Sequence, residues 1–263
     1  MVENVNIHHS AIIEDGAEIG DGTSVGPFCF VGSKVRLGQN VELKSHVVIK
    51  GDTFLGDENT VFPFAVLGEI PQDKKFNGES TSLKIGNRNQ IREHVTINVG
   101  TKGGGGITKV GNDGLFMAGC HIAHDAQVGD NVILVNNASL AGHCIIEDNV
   151  IVGGLSGVHQ FVRIGEGAII GAVTMVTNDV IPYGLVQAPR GELDGLNLVG
   201  LKRKGVPRAD IMALRAAFQT LSQGDGTFQD RAQKLTDDSD SEYVEKIVSF
   251  VLGHSDRSFL TPR

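Results

Sequence analysis

The fold is decided by residues 128–158, which read VGDNVILVNNASLAGHCIIEDNVIVGGLSGV. Divided every six residues, this stretch becomes VGDNVI, LVNNAS, LAGHCI, IEDNVI and VGGLSG, and each hexad begins with an aliphatic residue. Extended in both directions, the same step meets twelve consecutive apolar residues: Val110, Phe116, Ile122, Val128, Leu134, Leu140, Ile146, Val152, Val158, Ile164, Ile170 and Val176. At a hydrophobic content of 40%, such a run would arise by chance about twice in 100,000 frames, so the period is a structural feature.

An earlier run with the same step covers the N-terminal part of the chain. It consists of Ile7, Ile13, Ile19, Val25, Val31, Leu37, Leu43, Ile49, Leu55, Val61 and Leu67, and Ile85, Ile91 and Ile97 keep its frame. Glycine often follows the apolar residue, as at Gly20, Gly38 and Gly129, which predicts a turn at each glycine. A small side chain stands four places after the apolar residue, and the three cysteines, Cys29, Cys120 and Cys144, occupy that position.

Six residues are too few for a helix and a loop, so the pattern predicts a stacked parallel β-solenoid with three hexads, or 18 residues, per coil. An aromatic content of 5% without tryptophan agrees with a narrow prism that aliphatic side chains fill. We expect the repeats to occupy residues 1–186, interrupted by projecting loops at 69–82 and 100–108. The second loop contains the run Gly103–Gly106, which lacks the lysine and Ser/Thr of a phosphate loop, so we expect a flexible loop there.

The period stops after Pro182, and we predict a C-terminal α-helical domain over residues 187–263. Two segments have helical spacing of apolar residues: Ile211, Leu214, Phe218 and Leu221 after Pro207, and Val244, Ile247, Val248 and Val251 before Gly253. Ser239 and Glu242 have the spacing of a capping box that would begin the second of these helices.

Charge and composition narrow the classes of function. With 23 basic and 31 acidic residues the net charge is -8, which disfavours general nucleic-acid binding but leaves room for a local basic site. No basic and apolar leader precedes the repeats, and no run of about 18 apolar residues follows, so we expect a cytoplasmic protein without stable membrane insertion. The odd number of separated cysteines predicts reduced, structural thiols.

Counting by coils gathers polar residues at one corner of the prism. Position 142 lies one coil beyond His124, which places Gly142 over His124 with His143 beside it. A further coil reaches Gln160, with His159 adjacent. We therefore expect these five residues to form one polar strip on an otherwise regular solenoid.

This strip has the outline of an acyl-transfer site. Asp125 could hold one nitrogen of the His124 imidazole while the other accepts a proton from a substrate hydroxyl. The backbone N–H of Gly142 could then stabilise an oxyanion, and no nucleophilic Ser or Cys would be required. Three alternatives remain open: surface histidines in turns, a zinc site built from histidines of neighbouring coils, and a solenoid with a purely structural or surface-binding role.

Two further polar groups lie outside the strip. Asp73 and Lys75 belong to the first projecting loop and could reach a polar substrate or be merely solvated. Lys202, Arg203 and Lys204 form a tight basic triplet in the C-terminal part, which suits a phosphate or pyrophosphate as well as a solvated surface.

Four segments carry a family resemblance that covers essentially the whole chain. The stretches at residues 121–125 (HIAHD), 140–143 (LAGH), 159–160 (HQ) and 200–205 (GLKRKG) resemble the acyl-(acyl-carrier-protein)–UDP-N-acetylglucosamine O-acyltransferases of lipid A biosynthesis. The resemblance implies a left-handed parallel β-helix of hexapeptide repeats with a C-terminal helical domain, assembled as a homotrimer with active sites between subunits. It also implies transfer of a 3-hydroxyacyl chain from acyl carrier protein to UDP-N-acetylglucosamine, with no cofactor or metal.

The resemblance assigns roles to individual residues. His124 would be the base that takes the proton of the glucosamine 3-hydroxyl, Asp125 its orienting partner and Gly142 the oxyanion donor. The substrate cleft would be lined by Asp73, Lys75, His121, His143, His159 and Gln160. The nucleotide would be held by Asn197, Arg203 and Lys204.

Two positions depart from the family pattern, and a third bears on the length of the acyl chain. Arg190 stands where some members have histidine near the nucleotide, and Val199 stands where some have a glutamate facing uridine. Ala172, one coil beyond Gly154, resembles the residue that limits acyl length, from which we expect an intermediate 3-hydroxyacyl chain.

Two enzymes of similar fold are the rival interpretations. The N-acyltransferases of the same pathway carry a separate domain before the repeats, whereas here the repeats begin at Ile7, so we do not expect such a domain. A γ-type carbonic anhydrase would bind zinc, and metal analysis would distinguish it.

Overall fold

The computed structural model describes residues 4–187, 192–223, 225–236 and 240–261. Its first part consists of short strands at a spacing of about six residues. These are β1 (Asn6–Ile7), β2 (Ile12–Ile13), β3 (Glu18–Ile19), β4 (Ser24–Val25), β5 (Phe30–Val31), β6 (Arg36–Leu37), β7 (Glu42–Leu43), β8 (Val48–Ile49), β9 (Asp52–Leu55), β10 (Thr60–Val61), β11 (Val66–Glu69), β12 (Ser82–Ile85), β13 (Gln90–Ile91), β14 (Thr96–Asn98), β15 (Ile107–Val110), β16 (Leu115–Phe116), β17 (His121–Ile122), β18 (Gln127–Val128), β19 (Ile133–Leu134), β20 (Ser139–Leu140), β21 (Ile145–Ile146), β22 (Ile151–Val152), β23 (Gly157–Val158), β24 (Arg163–Ile164), β25 (Ile169–Ile170), β26 (Met175–Val176), β27 (Gly184–Gln187) and β28 (Glu192–Leu196).

The strands stack into three parallel sheets that form the faces of a triangular prism. The first sheet has the order β1-β4-β7-β10-β13-β16-β19-β22-β25-β27-β28, the second β2-β5-β8-β11-β14-β17-β20-β23-β26, and the third β24-β21-β18-β15-β12-β9-β6-β3. Up to β26 every third strand is a neighbour, so each coil contributes one strand to each face. At the end of the first sheet β27 follows β25, and β28 pairs with β27 in antiparallel. The register of Ile122 with Leu140 and of Leu140 with Val158 confirms 18 residues per coil in this region.

The apolar residues of the hexads form the core. In the second sheet Ile49, Leu67, Ile97, Ile122 and Leu140 stack in successive coils, and none of them is exposed to solvent. Cys120 and Cys144 are buried free thiols, and burial raises their pKa to about 11 and about 12. The thiols are therefore protonated near neutral pH, in agreement with the predicted structural role.

Most glycines that follow the apolar residues, such as Gly20, Gly38 and Gly129, do not have the left-handed turn conformation that the sequence predicts, and Gly68 (φ 78°) is an exception. In most turns the left-handed residue lies three places after the apolar residue and is not glycine, as at Asp125 (φ 61°), Asn131 (φ 55°) and His143 (φ 61°). A Cβ at Gly153 would lie 2.5 Å from the backbone N of Ala172 and 2.7 Å from the carbonyl oxygen of Ile170 in the next coil. Glycine is needed there because successive coils approach closely.

Two segments leave the period where the sequence predicted projecting loops. The first connects β11, which ends at Glu69, to β12, which begins at Ser82. The second contains a 3₁₀ helix (Lys102–Gly104) and gives way to β15 at Ile107, so the predicted loop 100–108 extends two residues too far. Both segments begin after a strand of the second sheet and end at a strand of the third, so they emerge at the same corner.

The C-terminal part begins as an extension of the first sheet rather than as a helix. The predicted division at residue 186 falls inside β27, which pairs in parallel with β25 and in antiparallel with β28. The helices that follow are α1 (Leu198–Arg203), α2 (Arg208–Ser222), α3 (Phe228–Lys234) and α4 (Glu242–Leu252). The two helical segments predicted from apolar spacing correspond to α2 and α4.

The predicted capping box at the start of α4 involves a residue that the structure does not describe. Ser239 lies outside the described residues, and the helix begins at Glu242 with Ser241 as its N-cap. A capping box is present at α3, where the Thr227 hydroxyl accepts a hydrogen bond from Asp230 N–H and the Asp230 carboxylate accepts one from Thr227 N–H. Among the residues described, no helix is both long and apolar enough to cross a membrane.

Candidate active site

The candidate site lies at the corner between the second and third sheets, which we call the His124 corner. Its turns comprise residues 123–126, 141–144 and 159–162 in successive coils. The N–H of His143 donates to the carbonyl oxygen of His124 at 3.0 Å, and the N–H of Phe161 donates to that of Gly142 at 3.2 Å. These bonds stack His124, Gly142 and Gln160 at equivalent turn positions, as counting by coils predicts.

His124 and Asp125 form a buried hydrogen-bonded pair. Nδ1 of His124 lies 2.8 Å from Oδ2 of Asp125, and only 8% of His124 and 3% of Asp125 are exposed. A carboxylate in this place accepts the Nδ1 proton, which leaves Nε2 as the proton acceptor of the neutral ring. The pair therefore has the arrangement of a general base with its orienting group.

The carboxylate of Asp125 is held by residues that the sequence analysis missed. Thr101 donates its N–H to Oδ1 at 2.8 Å and its hydroxyl to Oδ2 at 2.6 Å. The backbone N–H of Asp125 donates to the Thr108 hydroxyl at 2.8 Å, and both threonines are buried. The two bonds from Thr101 satisfy a buried carboxylate whose desolvation would otherwise be costly, and the bond to Thr108 satisfies the backbone of Asp125.

The glycine run next to Thr101 covers this carboxylate. The N–H groups of Gly104 and Gly106 donate to the carbonyl oxygen of Thr101 at 3.1 and 2.9 Å. A Cβ on Gly104 would overlap the carboxyl group of Asp125, whereas a Cβ on Gly103 would meet no atom within 4 Å. The glycine run, which the sequence predicts to be a flexible loop, thus forms a wall of the site.

Gly142 lies against the ring of His124. A Cβ there would be 2.5 Å from Cε1 and 2.7 Å from Nε2, so only glycine allows the ring to take its observed place. Within the described residues the N–H of Gly142 donates no hydrogen bond, which leaves it available to a ligand.

His121 and His143 flank the pair. Nδ1 of His121 lies 2.7 Å from the Thr96 hydroxyl, and the ring of His143 stacks on Phe161 with centroids 4.5 Å apart. Burial lowers the pKa of His121, and it lowers the pKa of His143 although the Asp125 carboxylate opposes the shift. Both rings are therefore neutral near neutral pH and act as hydrogen-bonding groups.

A metal ion also has a possible donor set here. One ligand atom each of His124, Asp125 and His143 lie within 4.8 Å of one another. Two imidazoles and a carboxylate suit zinc. However, Oδ2 of Asp125 is already engaged by His124 and Thr101, so the pair would have to rearrange to bind an ion.

An open cleft of about 600 Å³ connects these groups to the first projecting loop. It is lined by Gln72, Asp73, Lys75, Asn98, His121, Ala123, His124, Ser139, Leu140, Ala141, Gly142, Gly157, Val158 and Gln160. An adjoining space of about 830 Å³ extends past His143, Thr101 and Lys102. Asp73 is half-buried and accepts a hydrogen bond from Lys75 N–H at 3.0 Å, while the Lys75 side chain is exposed.

Five predicted site residues lie away from this cleft in the single chain. His159 is exposed, and its Nδ1 lies 2.8 Å from a guanidinium nitrogen of Arg257. Asn197 is the N-cap of α1, with its side chain bonded to Gly200 N–H and Gly167 O, while Arg203 and Lys204 end that helix. Ala172 is exposed at the corner between the first and second sheets.

Only one of the two positions that depart from the family pattern lies among the described residues. Val199 is 60% exposed on α1, and Arg190 lies outside the described residues. The structure therefore gives Val199 a surface position from which it could contact a ligand.

Comparisons with known proteins bear on both parts of the chain. Residues 16–51 match the family described as bacterial transferase hexapeptide (six repeats), and residues 179–260 match UDP N-acetylglucosamine O-acyltransferase, domain 2. An acyl-(acyl-carrier-protein)–UDP-N-acetylglucosamine O-acyltransferase of Paracoccus denitrificans is 66% identical over 202 residues, 77% of this chain and 77% of that protein. The protein of that name from Rhizobium etli is 46% identical over 263 residues, 100% of this chain and 97% of that protein.

Solved structures agree over nearly the full length. LpxA from Acinetobacter baumannii has a TM-score of 0.94 at 37% identity, covering 97% of this chain and 99% of that chain. The UDP-N-acetylglucosamine acyltransferase from Campylobacter jejuni has a TM-score of 0.92 at 39% identity, covering 98% and 100%. These likenesses confirm the left-handed parallel β-helix with C-terminal helices. Because identity remains high across both parts, the chain belongs to the acyl-(acyl-carrier-protein)–UDP-N-acetylglucosamine O-acyltransferase family.

Proposed function

We propose that this protein transfers an (R)-3-hydroxyacyl chain from acyl carrier protein to the glucosamine 3-hydroxyl of UDP-N-acetylglucosamine, the first step of lipid A biosynthesis. The observation that carries the proposal is the buried His124–Asp125 pair, joined at 2.8 Å and facing the cleft beside Gly142. Family membership supplies the substrates, and this geometry supplies a mechanism for joining them.

The reaction begins with removal of a proton. Asp125 fixes the His124 ring with Nδ1–H toward the carboxylate, so Nε2 takes the proton of the 3-hydroxyl as its oxygen attacks the thioester carbonyl. The free N–H of Gly142 donates a hydrogen bond to the resulting oxyanion. Collapse of this intermediate forms the ester, breaks the C–S bond, and returns the proton from Nε2 to the departing thiolate of the carrier.

Direct attack by the substrate is favoured over a covalent acyl-enzyme. Cys120 and Cys144 are buried, and their sulfur atoms point to carbonyl oxygens, with Cys144 Sγ 3.2 Å from His159 O. Their raised pKa keeps them as unreactive thiols. The chemistry we derive uses only protein groups and the energy of the thioester, with no cofactor.

Substrate binding would combine residues of two copies. Asp73, Lys75, His121, His143 and Gln160 surround the His124 cleft in one chain. His159 would line the substrate cleft, and Asn197, Arg203 and Lys204 would hold the nucleotide, in a site formed with a neighbouring copy. This is in line with a homotrimer that has sites between subunits. Ala172 lies at a different corner from His124, so it would limit an acyl chain that runs between copies.

The exposed apolar surface supports this assembly. Along the corner between the first and second sheets, Phe28 is 61%, Phe64 49%, Leu155 66% and Val173 61% exposed. His46, His94 and Asn137 occupy turn positions between these residues, so the apolar side chains form two exposed groups along one corner. Exposed apolar groups of this kind are typical of a surface that another subunit covers. Sedimentation analysis of the purified protein tests the trimer, and we expect the assembly to act in the cytoplasm.

The test is incubation with UDP-N-acetylglucosamine and a series of 3-hydroxyacyl carrier thioesters, with products identified by mass spectrometry. We expect an O-acylated product and a preference for intermediate chains; preference for the longest donors would reject the role of Ala172. His124→Ala should lower turnover by about 10²–10⁴-fold or more with an unchanged circular dichroism spectrum. Near-normal turnover of that variant would reject the base assignment.

The zinc-dependent alternative requires its own measurement, because His124, Asp125 and His143 are close enough to share an ion. We expect acyl transfer to survive exhaustive dialysis against a chelator and no hydration of carbon dioxide. Loss of transfer on chelation, restored by zinc, would contradict the mechanism proposed.

A further inference from the structure

A second groove, of about 710 Å³, lies on the outer face of the third sheet and takes no part in the cleft described above. Its floor is one column of outward side chains from five adjacent strands: Phe54, Lys84, Lys109, Gln127 and Ile145. Lys84 and Lys109 are register partners and both are exposed. We call this surface the lysine groove.

The lysine groove is cationic in an acidic chain. Its lining residues are Phe54, Lys84, Gly86, Asn87, Lys109, Val110, Gly111, Asn112, Gln127, Val128, Gly129, Ile145 and Ile146, which include two cations and no carboxylate. The chain as a whole has 31 acidic and 23 basic residues. The groove therefore has the opposite sign to the protein around it.

Among the described residues, neither lysine has a carboxylate partner of the kind that other cations of this face possess, although Lys84 Nζ lies over the Phe54 ring, 5.9 Å from its centroid. Arg36 pairs with Asp52 at 2.9 Å, and Arg163 pairs with Asp179 at 2.7 Å. Lys84 and Lys109 make no ion pair within the described parts of the chain, although strand neighbours lie only about 4.8 Å apart and like charges there repel. The repulsion between the two lysines is unfavourable, and an anionic partner that binds both of them would neutralise their charge.

The groove adjoins the proposed active site. Gln127 Nε2 donates to the carbonyl oxygens of Ile107 at 3.1 Å and Asp125 at 3.3 Å, and Thr108, next to Lys109, accepts from Asp125 N–H. Lys109 is the register partner of Gln127, which follows Asp125 by two residues in the chain. A molecule bound in the lysine groove would therefore lie next to residues 100–106, which form a wall of the candidate active site.

We propose that the lysine groove docks the acyl carrier protein through an acidic face of that protein. This inference rests on the proposed function, which requires a carrier to deliver a thioester to His124. The surface is an open sheet face rather than a pocket of converging donors, so it suits a protein surface better than a free phosphate. Phe54 and Ile145 at the two ends of the column offer apolar contacts on either side of the charged centre.

The test compares two donors that carry the same acyl chain, one on the carrier protein and one on pantetheine alone. For the variant Lys84→Gln/Lys109→Gln we expect KM for the acyl carrier to rise by about five- to thirtyfold, with kcat little changed. The rate with acyl-pantetheine should stay the same. Lys84→Arg/Lys109→Arg should behave as wild type, as should a charge-matched control, Lys34→Gln/Lys234→Gln, on distant exposed positions.

Direct binding of the acyl carrier, measured by surface plasmon resonance, separates failure of this inference from failure of the proposed function. If the wild-type protein binds the acyl carrier, the double Gln variant binds it more weakly and neither transfers the acyl chain, the docking role of the lysine groove is supported and the proposed function is rejected. Equal binding by both would overturn the groove, as would an equal loss with both donors or a changed oligomeric state in the variant.

Discussion

Thr101 binds both oxygens of the Asp125 carboxylate, with its N–H 2.8 Å from Oδ1 and its hydroxyl 2.6 Å from Oδ2. The threonine thereby orients the group that orients His124, and it does so from a loop 24 residues earlier in the chain. Thr101→Val keeps the shape and the N–H bond but removes the hydroxyl bond to a buried charge. We expect kcat to fall about ten- to hundredfold with KM for both substrates nearly unchanged.

Steady-state kinetics of Thr101→Val and Thr101→Ser measure this effect. Serine restores the hydroxyl, so Thr101→Ser should retain most of the wild-type kcat. Equal losses in the two variants would mean that the threonine methyl group and its packing matter, and not the bond to Asp125.

The glycine run offers a matched pair of variants one residue apart. A methyl group on Gly104 would overlap the Asp125 carboxyl group, whereas a methyl group on Gly103 would project into open space. We expect Gly104→Ala to lower kcat more than tenfold because either the carboxylate or the 3₁₀ helix must move, a displacement of the kind that costs catalysis heavily. Gly103→Ala should stay within about twofold of wild type under the same assay; similar rates for the two variants would show that the loop does not position Asp125.

These two contacts mark the limit of what the sequence could predict. The six-residue period determines the register of the coils, so counting by 18 was enough to place Gly142 and Gln160 over His124. Thr101 lies in a segment outside the period, where no register relates it to Asp125, and a glycine-rich composition is typical of flexible loops as well as of close packing. Only the fold shows that the loop returns to the carboxylate.

The C-terminal part illustrates the same limit. Apolar spacing was sufficient for α2 and α4, which bury one face each. Apolar spacing did not predict β28. This strand pairs with β27 in antiparallel, and the six-residue period predicts only parallel pairing between coils. The roles of Asn197, Arg203 and Lys204 would depend on contacts with another copy, which a single sequence cannot display.

His121 provides a prediction of pH dependence. Burial lowers the pKa of this imidazole below its ordinary value of 6.5, so the unfolded chain binds its proton more readily than the folded protein. The free energy of unfolding that depends on His121 is fully present above about pH 6.5 and is lost as the pH falls from there toward the folded pKa. His121→Gln removes this loss, so the variant should be less sensitive than wild type between pH 6.5 and 5.

Urea denaturation at several pH values measures the difference. At pH 8 the imidazole is neutral in both states, so the gap between variant and wild type there reports only the change in packing and in the bond to Thr96. That gap should move in favour of the variant as the pH falls. A constant gap from pH 8 to pH 5 would contradict the assignment of a lowered pKa to burial of this ring.

Glycine in the repeats serves the spacing of coils, and this also has a direct test. At Gly153 an added Cβ would meet backbone atoms of residues 170–172 at 2.5 to 2.7 Å, and backbone cannot rotate aside as a side chain can. Gly153→Ala should therefore destabilise the protein by about 1–3 kcal/mol through forced separation of two coils. Gly157 belongs to the same coil but has no atom within 4 Å of the added Cβ, so Gly157→Ala should be neutral or slightly stabilising by reducing the freedom of the unfolded chain. The melting temperatures of the two variants distinguish two explanations of the repeated glycine. A lower melting temperature for Gly153→Ala alone would show that glycine is required for the close approach of successive coils. An equal decrease in both variants would show that glycine is required for its backbone flexibility.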